Sequence, residues 1–415
     1  MLTPLNDAMS RSRTAMTWAG LQGGDILRRT ARTTTRTLPR PRRLNATETL
    51  NLAPSLRADT LRGGLLAWDG QLEDDARLVV TVARTAAAYG AEVRTRARVT
   101  SATGTSVELR DELTGETYVV RAGAVVNATG VWAGDLDDQV RLRPSRGTHL
   151  VLRGSVLPHT RVAVMVPIPG TFARFAMVLP QPDGTIYVGL TDEPVTGRVP
   201  DVPTPSESEI EFLLGVVASA FTTPPTRADV VGAFAGLRPL LEVADADTTA
   251  DLSRRHAILT STTGVTTVVG GKLTTYRRMA QDTLDTLVAT GRLTAGPCRT
   301  AALPLLGAAS PDELRRCTAP ARLVRRFGTD AVLVLATARE VTGLADDELL
   351  APASEDVPVT LAELVFALTH EGAHDVDDLL DRRVRVGLVA ADRTVAEPLA
   401  RRALDLATPS RRMPA

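Results

Sequence analysis

Two glycines between a β-branched segment and an amphipathic segment place the tightest limit on how this chain folds. Val265–Val269 is rich in β-branched residues and predicts a buried strand, which ends at Gly270-Gly271. The apolar spacing of Leu273–Leu287 then predicts a helix that ends near Gly291. A helix that begins directly after glycines presents unobstructed backbone N–H groups, and its dipole favours negative charge. The sequence therefore predicts an α/β unit with an anion-binding helix N-terminus.

The cation at this turn is unusual in the chain. Of 48 lysine and arginine residues, Lys272 is the only lysine. A compact ammonium on a flexible stem binds differently from a planar guanidinium, so the one position that keeps lysine is predicted to bind a ligand. The other interpretation is an incidental lysine at a tight strand-to-helix corner.

The overall charge limits the class of partner. The 48 acidic residues balance the basic ones to a formal zero, so the chain lacks the basic surface of a dedicated nucleic-acid binder. Small molecules or proteins are the expected partners. The two cysteines, Cys298 and Cys317, form no disulfide framework, which favours a reducing cytoplasm. No run of about 18 apolar residues occurs, so the sequence predicts no membrane span.

The first 43 residues are strongly basic, with nine arginines against Asp7 and Asp25. An arginine-rich, acid-poor stretch is typical of a transit peptide or of a helix on an anionic membrane. We favour a solvated helix and loop, with the Pro-Arg-Pro-Arg-Arg run at 39–43 as a linker.

Hydrophobic periodicity divides the rest of the chain. A helix over 73–88 and an alternating three-stranded meander over 93–121 lead into a short buried strand that continues into Thr129-Gly130. Residues 140–255 predict a mixture of strands and helix. The pattern from about 310 onward is entirely helical. A chain of 415 residues is long enough for two or three such domains.

Two further residues are candidates for chemistry. Arg238 lies in Gly-Leu-Arg-Pro-Leu, and the following proline favours an extended arginine suited to bidentate binding of a carboxylate or phosphate. A surface arginine at a strand end explains it equally well. His149 begins a predicted strand and is a candidate general base near neutral pH, with a hydrogen-bonded structural histidine as the alternative. Thr191-Asp192 is interpreted as a turn.

No metal site is predicted. His370 and His374 have the i, i+4 spacing of helical metal ligands, with Glu371 between them. Gly372 interrupts the predicted helix, however, and no third ligand is in view. We interpret the spacing as coincidence.

Six short motifs together carry a resemblance to a known family. They are Asp-Asp-Ala-Arg-Leu at 74–78, Val-Asn-Ala-Thr-Gly-Val-Trp-Ala at 126–133, Arg-Gly-Thr-His at 146–149, Gly-Leu-Arg-Pro-Leu at 236–240, Ser-Arg-Arg-His at 253–256 and Gly-Gly-Lys-Leu-Thr-Thr-Tyr-Arg at 270–277. In this order they resemble FAD-dependent glycerol-3-phosphate dehydrogenases, for which the last motif is highly specific. The resemblance extends over nearly the whole chain, including the helical tail.

The resemblance implies an α/β fold with an incomplete FAD-binding flavoprotein domain, an antiparallel-sheet substrate domain and an all-helical C-terminal domain. The corresponding segments are a basic helical and loop segment of the substrate or cap region at 1–72, the remaining FAD-binding parts at 73–138 and 256–295, the substrate domain at 139–255 and the helical domain at 300–415. The implied reaction is the oxidation of sn-glycerol 3-phosphate to dihydroxyacetone phosphate in glycerol catabolism. FAD is the implied cofactor, and a quinone or another acceptor receives the electrons. Peripheral contact with the inner face of the cell membrane and a homodimer both remain open.

Site residues follow from the resemblance. The implied catalytic residues are His149, Arg238 and Lys272, with His149 taking the proton of the C2 hydroxyl. The implied substrate-binding residues are Arg238, Arg254 and Lys272. The implied cofactor-binding residues are Thr129, Gly130, Gly270, Gly271, Leu273, Thr274 and Thr275.

The sequence departs from the family pattern at its beginning. Family members open with a strand, a G-x-G-x-x-G turn and a helix that hold the ADP part of FAD, and the glycines at 20–24 do not have that spacing. We therefore expect the chain to lack the family's N-terminal FAD-binding segment. Two other functions stay open. One is a non-catalytic remnant that binds a phosphate ester or a protein partner, and the other is a related FAD oxidase of another small acid.

Overall fold

The computed structural model describes residues 1–171, 174–189, 191–242 and 256–407. The strands in this part of the chain are β1 (Leu2–Pro4), β2 (Arg42–Leu44), β3 (Gly64–Leu66), β4 (Ala97–Ala102), β5 (Ser106–Asp111), β6 (Thr117–Arg121), β7 (Val126–Asn127), β8 (Ser145–Arg153), β9 (Val164–Pro167), β10 (Phe175–Pro180), β11 (Thr185–Gly189), β12 (Glu193–Pro194), β13 (Val230–Arg238), β14 (Ala257–Thr260) and β15 (Thr266–Val269). The α-helices are α1 (Arg11–Thr30), α2 (Ala46–Leu52), α3 (Asp75–Ala88), α4 (Ala133–Leu136), α5 (Glu207–Ala218), α6 (Tyr276–Ala289), α7 (Pro311–Arg316), α8 (Ala321–Phe327), α9 (Ala331–Thr342), α10 (Asp346–Leu350), α11 (Leu361–His370) and α12 (Ala390–Ala407).

The largest sheet has nine strands within the described residues, and it is mostly antiparallel. Its order is β12-β8-β11-β10-β9-β1-β3-β2. Strands β11 and β12 pair with successive parts of one edge of β8, and β13 pairs with the opposite edge. Successive side chains of a strand point to opposite faces, so each strand divides its residues between the two faces. Leu150 and Leu152 of β8 are fully buried in one core with Leu213 and Val217 of α5. The opposite face of β8 and β13 carries His149 and Phe234, which pair across the two strands.

Three short strands at the beginning of the chain complete this sheet. The predicted helix in the basic stretch is confirmed as α1, but the interpretation of residues 39–43 as a linker is wrong in part, because Arg42–Leu44 forms β2 and pairs with β3. A strand of three residues is too short to show alternation, so periodicity could not detect it.

The predicted strand, glycine turn and helix form a separate unit. β15 pairs with β7 in parallel and with β14 in antiparallel orientation. Gly270 and Gly271 follow with φ angles of 78° and 75°, a left-handed conformation that glycine adopts without strain. One 3₁₀ turn at Leu273–Thr275 then leads into α6, which ends before Gly291, another left-handed glycine. The predicted order of elements at this turn is confirmed.

The C-terminal part is helical, as predicted, and has its own core. Leu364 and Phe366 of α11 are fully buried there among apolar residues of α8, α9 and α12. α11 ends at His370 and the left-handed Gly372 follows, so His370 and His374 do not share a helix. No α-helix that the structure describes has the length and apolar character that crossing a membrane requires.

Ion pairs join this helical part to α3. Arg77 pairs with Glu371, and Nη1 of Arg84 lies 3.0 Å from a carboxylate oxygen of Asp330. Both pairs are largely buried. The start of α3 is thereby fixed between the large sheet and the C-terminal helices.

Candidate active site

His149 lies on the face of the large sheet that points away from α5. Its neighbours across the strands are Phe234 on β13 and Gly189 on β11. The imidazole stacks on the Phe234 ring, with 5.0 Å between ring centroids and 7° between planes. A Cβ on Gly189 would lie 2.2 Å from a ring carbon of His149, so only glycine leaves room for the imidazole there. Strand register and these two contacts fix the ring.

The surroundings of His149 keep it neutral. Burial lowers its pKa to about 4, and the positive charges of Arg238 and Arg385 act in the same direction, whereas Asp75 opposes them. Among the described residues, neither ring nitrogen has a hydrogen-bond partner. A neutral imidazole whose ring nitrogens have no such partner fits the role of proton acceptor better than that of a hydrogen-bonded structural histidine.

Arg238 ends β13 on the same face. It pairs with Ser145 across the strands, four residues from the pair of Phe234 and His149, so the alternation brings both to one face. Its Nη1 donates to Oγ of Ser145 at 3.3 Å and to Oδ1 of Asp192 at 3.4 Å, and its Nη2 donates to the carbonyl oxygen of Thr191 at 3.2 Å. The Thr191-Asp192 turn, interpreted from sequence as a turn only, thus also holds a guanidinium.

A buried carboxylate on the other face supports this turn. Glu209 of α5 accepts hydrogen bonds from the hydroxyls of Thr191 at 2.8 Å and Thr148 at 2.9 Å, and it pairs with Arg146 at 2.8 Å. Burial alone would raise the pKa of Glu209, but hydrogen bonds from Ser206, Thr191 and Arg146 lower it to about 2. Glu209 is therefore ionised, and it ties β8, α5 and the turn together.

The glycine turn is built differently, because it is exposed. The side chains of Lys272, Leu273, Thr274 and Thr275 all face solvent. The N–H of Lys272 donates to Oγ1 of Thr275 at 3.1 Å, and that hydroxyl donates to the carbonyl of Lys272 at 2.9 Å. Within the described ranges, no carboxylate forms an ion pair with the Lys272 ammonium. The ammonium is therefore available to a ligand.

One cavity is lined by residues of the sheet face and by Thr274 of the glycine turn, but by neither Arg238 nor Lys272. It measures about 750 Å³, and its lining includes His149, Tyr187 and Phe234 from the sheet, Thr274 from the turn and Arg385 from the C-terminal part. The polar groups around it include the neutral His149, arginines such as Arg385 and carboxylates such as Asp75. A cavity of this size with a neutral imidazole in its wall can hold a small substrate that loses a proton.

The other predicted residues lie nearby or outside the described ranges. Thr129 and Gly130 line a smaller cavity of about 240 Å³ together with Leu237 and Pro239, the two neighbours of Arg238. Arg254 lies outside the described residues, so the structure does not locate it.

The glycine turn fits the flavin ring of FAD. Gly270 and Gly271 are both left-handed and carry no side chain of their own, so the backbone there would be the part of the turn open to a flat ring. The helix dipole at this end stabilises negative charge on such a ring. At Gly130, which is also left-handed, a Cβ would meet no atom within 4 Å.

Comparison with known proteins decides the family. Residues 10–277 match the family model of FAD dependent oxidoreductases, and residues 298–409 match that of the C-terminal domain of alpha-glycerophosphate oxidase. Glycerol-3-phosphate dehydrogenase 1 of Mycobacterium tuberculosis is 48% identical over 398 residues, covering 94% of this chain and 76% of the relative. The chain belongs to the FAD-dependent glycerol-3-phosphate dehydrogenase family.

Two more distant members agree with this. Glycerol-3-phosphate dehydrogenase 2 of Mycobacterium tuberculosis is 34% identical over 395 residues, covering 88% of this chain and 65% of the relative. The X-ray structure of the glycerol-3-phosphate dehydrogenase from Bacillus halodurans complexed with FAD has a TM-score of 0.71 and 25% identity, covering 98% of this chain and 77% of that one. Membership in the FAD-dependent glycerol-3-phosphate dehydrogenase family confirms the predicted α/β class with a helical C-terminal domain, the oxidoreductase assignment and FAD as the cofactor.

Several residues around His149 were missed from the sequence. Phe234, Tyr187 and Arg385 line its cavity, and Asp192 holds Arg238. Aromatic residues make up only 3% of this chain, so two aromatics at strand positions near the candidate histidine were a usable signal. Arg385 gave no such signal in the sequence, because it comes from a distant helical segment.

Proposed function

We propose that this chain oxidises sn-glycerol 3-phosphate to dihydroxyacetone phosphate in an FAD-dependent reaction of glycerol catabolism. The observation that supports the proposal is the shared cavity, whose lining includes the neutral His149 on the sheet and Thr274 of the glycine turn. The names of the relatives support the same substrate. A quinone or another acceptor would then receive the electrons.

His149 is the proposed proton acceptor. Oxidation at carbon 2 breaks the O–H bond of the hydroxyl and the C–H bond of the same carbon, and leaves a C=O bond. When bound, FAD supplies the acceptor for the hydride that leaves carbon 2. The imidazole takes the hydroxyl proton: with a pKa of about 4 it is unprotonated at physiological pH, so a ring nitrogen can accept a proton.

Three cations are the proposed substrate-binding groups. Arg238 offers a guanidinium held by Ser145 and Asp192, a rigid fork that suits a phosphate. Lys272 offers an ammonium that no carboxylate neutralises in the described part of the chain. Arg254 is proposed as a third cation from its motif alone. We also propose Arg238 and Lys272 as catalytic residues, because the charge that they stabilise lies next to the reacting carbon.

The flavin-binding residues are part of the same proposal. Gly270, Gly271 and the start of the following helix, Leu273–Thr275, would hold the flavin ring, with Thr129-Gly130 beside it. We further propose the division into a cap segment, an FAD-binding part, a substrate domain and a helical domain at the boundaries predicted from the sequence. A cytoplasmic location, peripheral membrane contact and a homodimer belong to the proposal as well.

A substrate panel tests the function. Purified protein with FAD bound should reduce an artificial dye with sn-glycerol 3-phosphate, and neither glycerol nor sn-glycerol 1-phosphate should replace it. Turnover of an amino acid or a 2-hydroxy acid instead would favour an oxidase of another small acid. Tight binding of glycerol 3-phosphate without flavin and without turnover would favour a non-catalytic remnant.

A further inference from the structure

One side chain of the C-terminal helical part reaches the cavity beside His149. Arg385 lies just after the helical turns at Asp378–Arg383 and has a φ of 57°, which residues other than glycine rarely adopt. Its side chain is only 19% exposed. An unusual backbone conformation that directs a long cation inward indicates a position fixed by its surroundings.

The contacts of Arg385 lead directly to His149. Its guanidinium pairs with Asp75 at the start of α3 and lies over the ring of Phe234, 5.5 Å from the centroid. Phe234 stacks on His149, and Tyr187 meets Phe234 edge-on with 5.4 Å between centroids. One aromatic ring therefore separates the guanidinium from the imidazole.

The backbone beside Arg385 packs tightly against the sheet. A Cβ on Gly232 of β13 would lie 2.0 Å from the carbonyl oxygen of Leu388, so the two backbones touch where only glycine fits. Gly232 lies two residues before Phe234 on the same strand. The helical part therefore has a fixed position relative to the strand that carries the Phe234 ring.

We propose that Arg385 is a positioning residue of the active site. It covers Phe234 and pairs with Asp75, and it thereby couples the position and the protonation of His149 to the docked C-terminal helices. This inference rests on the proposed role of His149 as the proton acceptor. It assigns the helical part a role in the chemistry besides its own folding.

Charges from three elements act on His149. Arg238 faces it from β13, Asp75 from the start of α3 and Arg385 from the C-terminal part. Burial is the largest cause of its low pKa, the two arginines lower it further and Asp75 raises it. Loss of Arg385 would remove one positive charge and leave the carboxylate of Asp75 without its pairing partner. Both changes raise the pKa of His149.

A titration of His149 tests the inference without any need for turnover. Histidine-labelled protein is titrated by NMR, and the His149 signal is assigned by its loss in His149→Gln. In Arg385→Met the midpoint of His149 should rise by about half a pH unit or more, the size expected for one charge across a partly buried gap. In Asp75→Asn it should fall.

The matched control is Arg84→Met. Arg84 also pairs across the junction with the C-terminal helices, but its guanidinium lies over Phe366 and is not among the charges that act on His149. It should leave the His149 midpoint unchanged. An unchanged midpoint in folded Arg385→Met would overturn the inference, and so would equal shifts in both variants. If Arg385→Met does not fold, Asp75→Asn tests the same contact, and an unchanged His149 midpoint in that variant would overturn the inference.

Kinetics give a second measurement. Arg385→Met should lower kcat by roughly tenfold, because the base is displaced. The acidic limb of the kcat/KM profile against pH should move by the same amount as the NMR midpoint, since both report the substrate-free enzyme. Arg385→Lys should recover most of the rate, whereas Arg84→Met should leave the profile in place. The His149 midpoint could shift in Arg385→Met although the natural protein does not oxidise glycerol 3-phosphate. That result would reject the proposed function but support the positioning role of Arg385.

Discussion

The sheet face that carries His149 and the glycine turn are built in different ways. On the sheet side, His149 and Arg238 are held by strand register, by Phe234 and by hydrogen bonds to neighbouring residues. On the turn side, residues 272–275 are exposed, and Lys272 has no ion pair with any described residue. The sheet side is therefore held by contacts within the protein, whereas the side chains of the turn side make few such contacts. Substitutions on the two sides should therefore separate stability from catalysis.

The largest effect is expected on the turn side, from Lys272→Met. Turnover should fall by at least about a hundredfold, because a charged hydrogen bond to the substrate is lost. The midpoint of thermal unfolding should hardly change, since the ammonium has no ion pair in the described structure. Dye reduction and a melting curve measure the two quantities. Lys272→Arg is the control with conserved charge, and unchanged kinetics in Lys272→Met would make the lone lysine an accident of composition.

On the sheet side, His149 should link stability to pH. The unfolded chain binds a proton at the ordinary pKa of 6.5, but the folded chain binds it only at about 4. The contribution of His149 to the free energy of unfolding is therefore fully present above pH 6.5. It falls by about 3 kcal/mol as the pH falls towards 4. Denaturant unfolding across this range should show that loss in the natural chain. The slope should be smaller in His149→Gln, and identical slopes would contradict the buried, neutral imidazole.

Gly189→Ala should produce a smaller effect, in which stability and catalysis change together. The new methyl group would overlap the His149 ring, so the imidazole must move. We expect a loss of about 1–3 kcal/mol in the free energy of unfolding and roughly a tenfold lower kcat. Gly215→Ala is a matched control in α5, where a Cβ meets no neighbour within 4 Å. If the two variants behaved alike, the close contact between Gly189 and His149 would not hold the base.

The smallest effect on turnover is expected from Glu209→Gln. The amide would lose the charge that pairs with Arg146, and it would weaken the hydrogen bonds from Thr148 and Thr191. Stability should fall by about 1–3 kcal/mol, and KM should rise a few-fold because the turn that holds Arg238 loosens. Denaturation and steady-state kinetics measure both. A higher KM without any loss of stability would contradict the supporting role of this carboxylate.

The sequence predicted the turn side better than the sheet side, for a physical reason. Two consecutive glycines and a single lysine are local signals, and they are enough to predict the turn at 270–275 from neighbouring residues alone. Asp192, Phe234 and Glu209 come from three separate elements, and the register of β8, β11 and β13 together with the packing of α5 on the sheet assembles them. Long-range pairing of this kind leaves no local pattern, and the same holds for Arg385.

Flavin absorbance under anaerobic conditions tests the account as a whole. Protein with FAD bound is mixed with sn-glycerol 3-phosphate in a stopped-flow instrument, and the loss of the oxidised flavin band is followed. The account predicts rapid bleaching with this substrate, none with glycerol, and bleaching at least about a hundredfold slower in His149→Gln with the same flavin content. A flavin that stays oxidised in the presence of glycerol 3-phosphate, or that bleaches equally fast in His149→Gln, would contradict it.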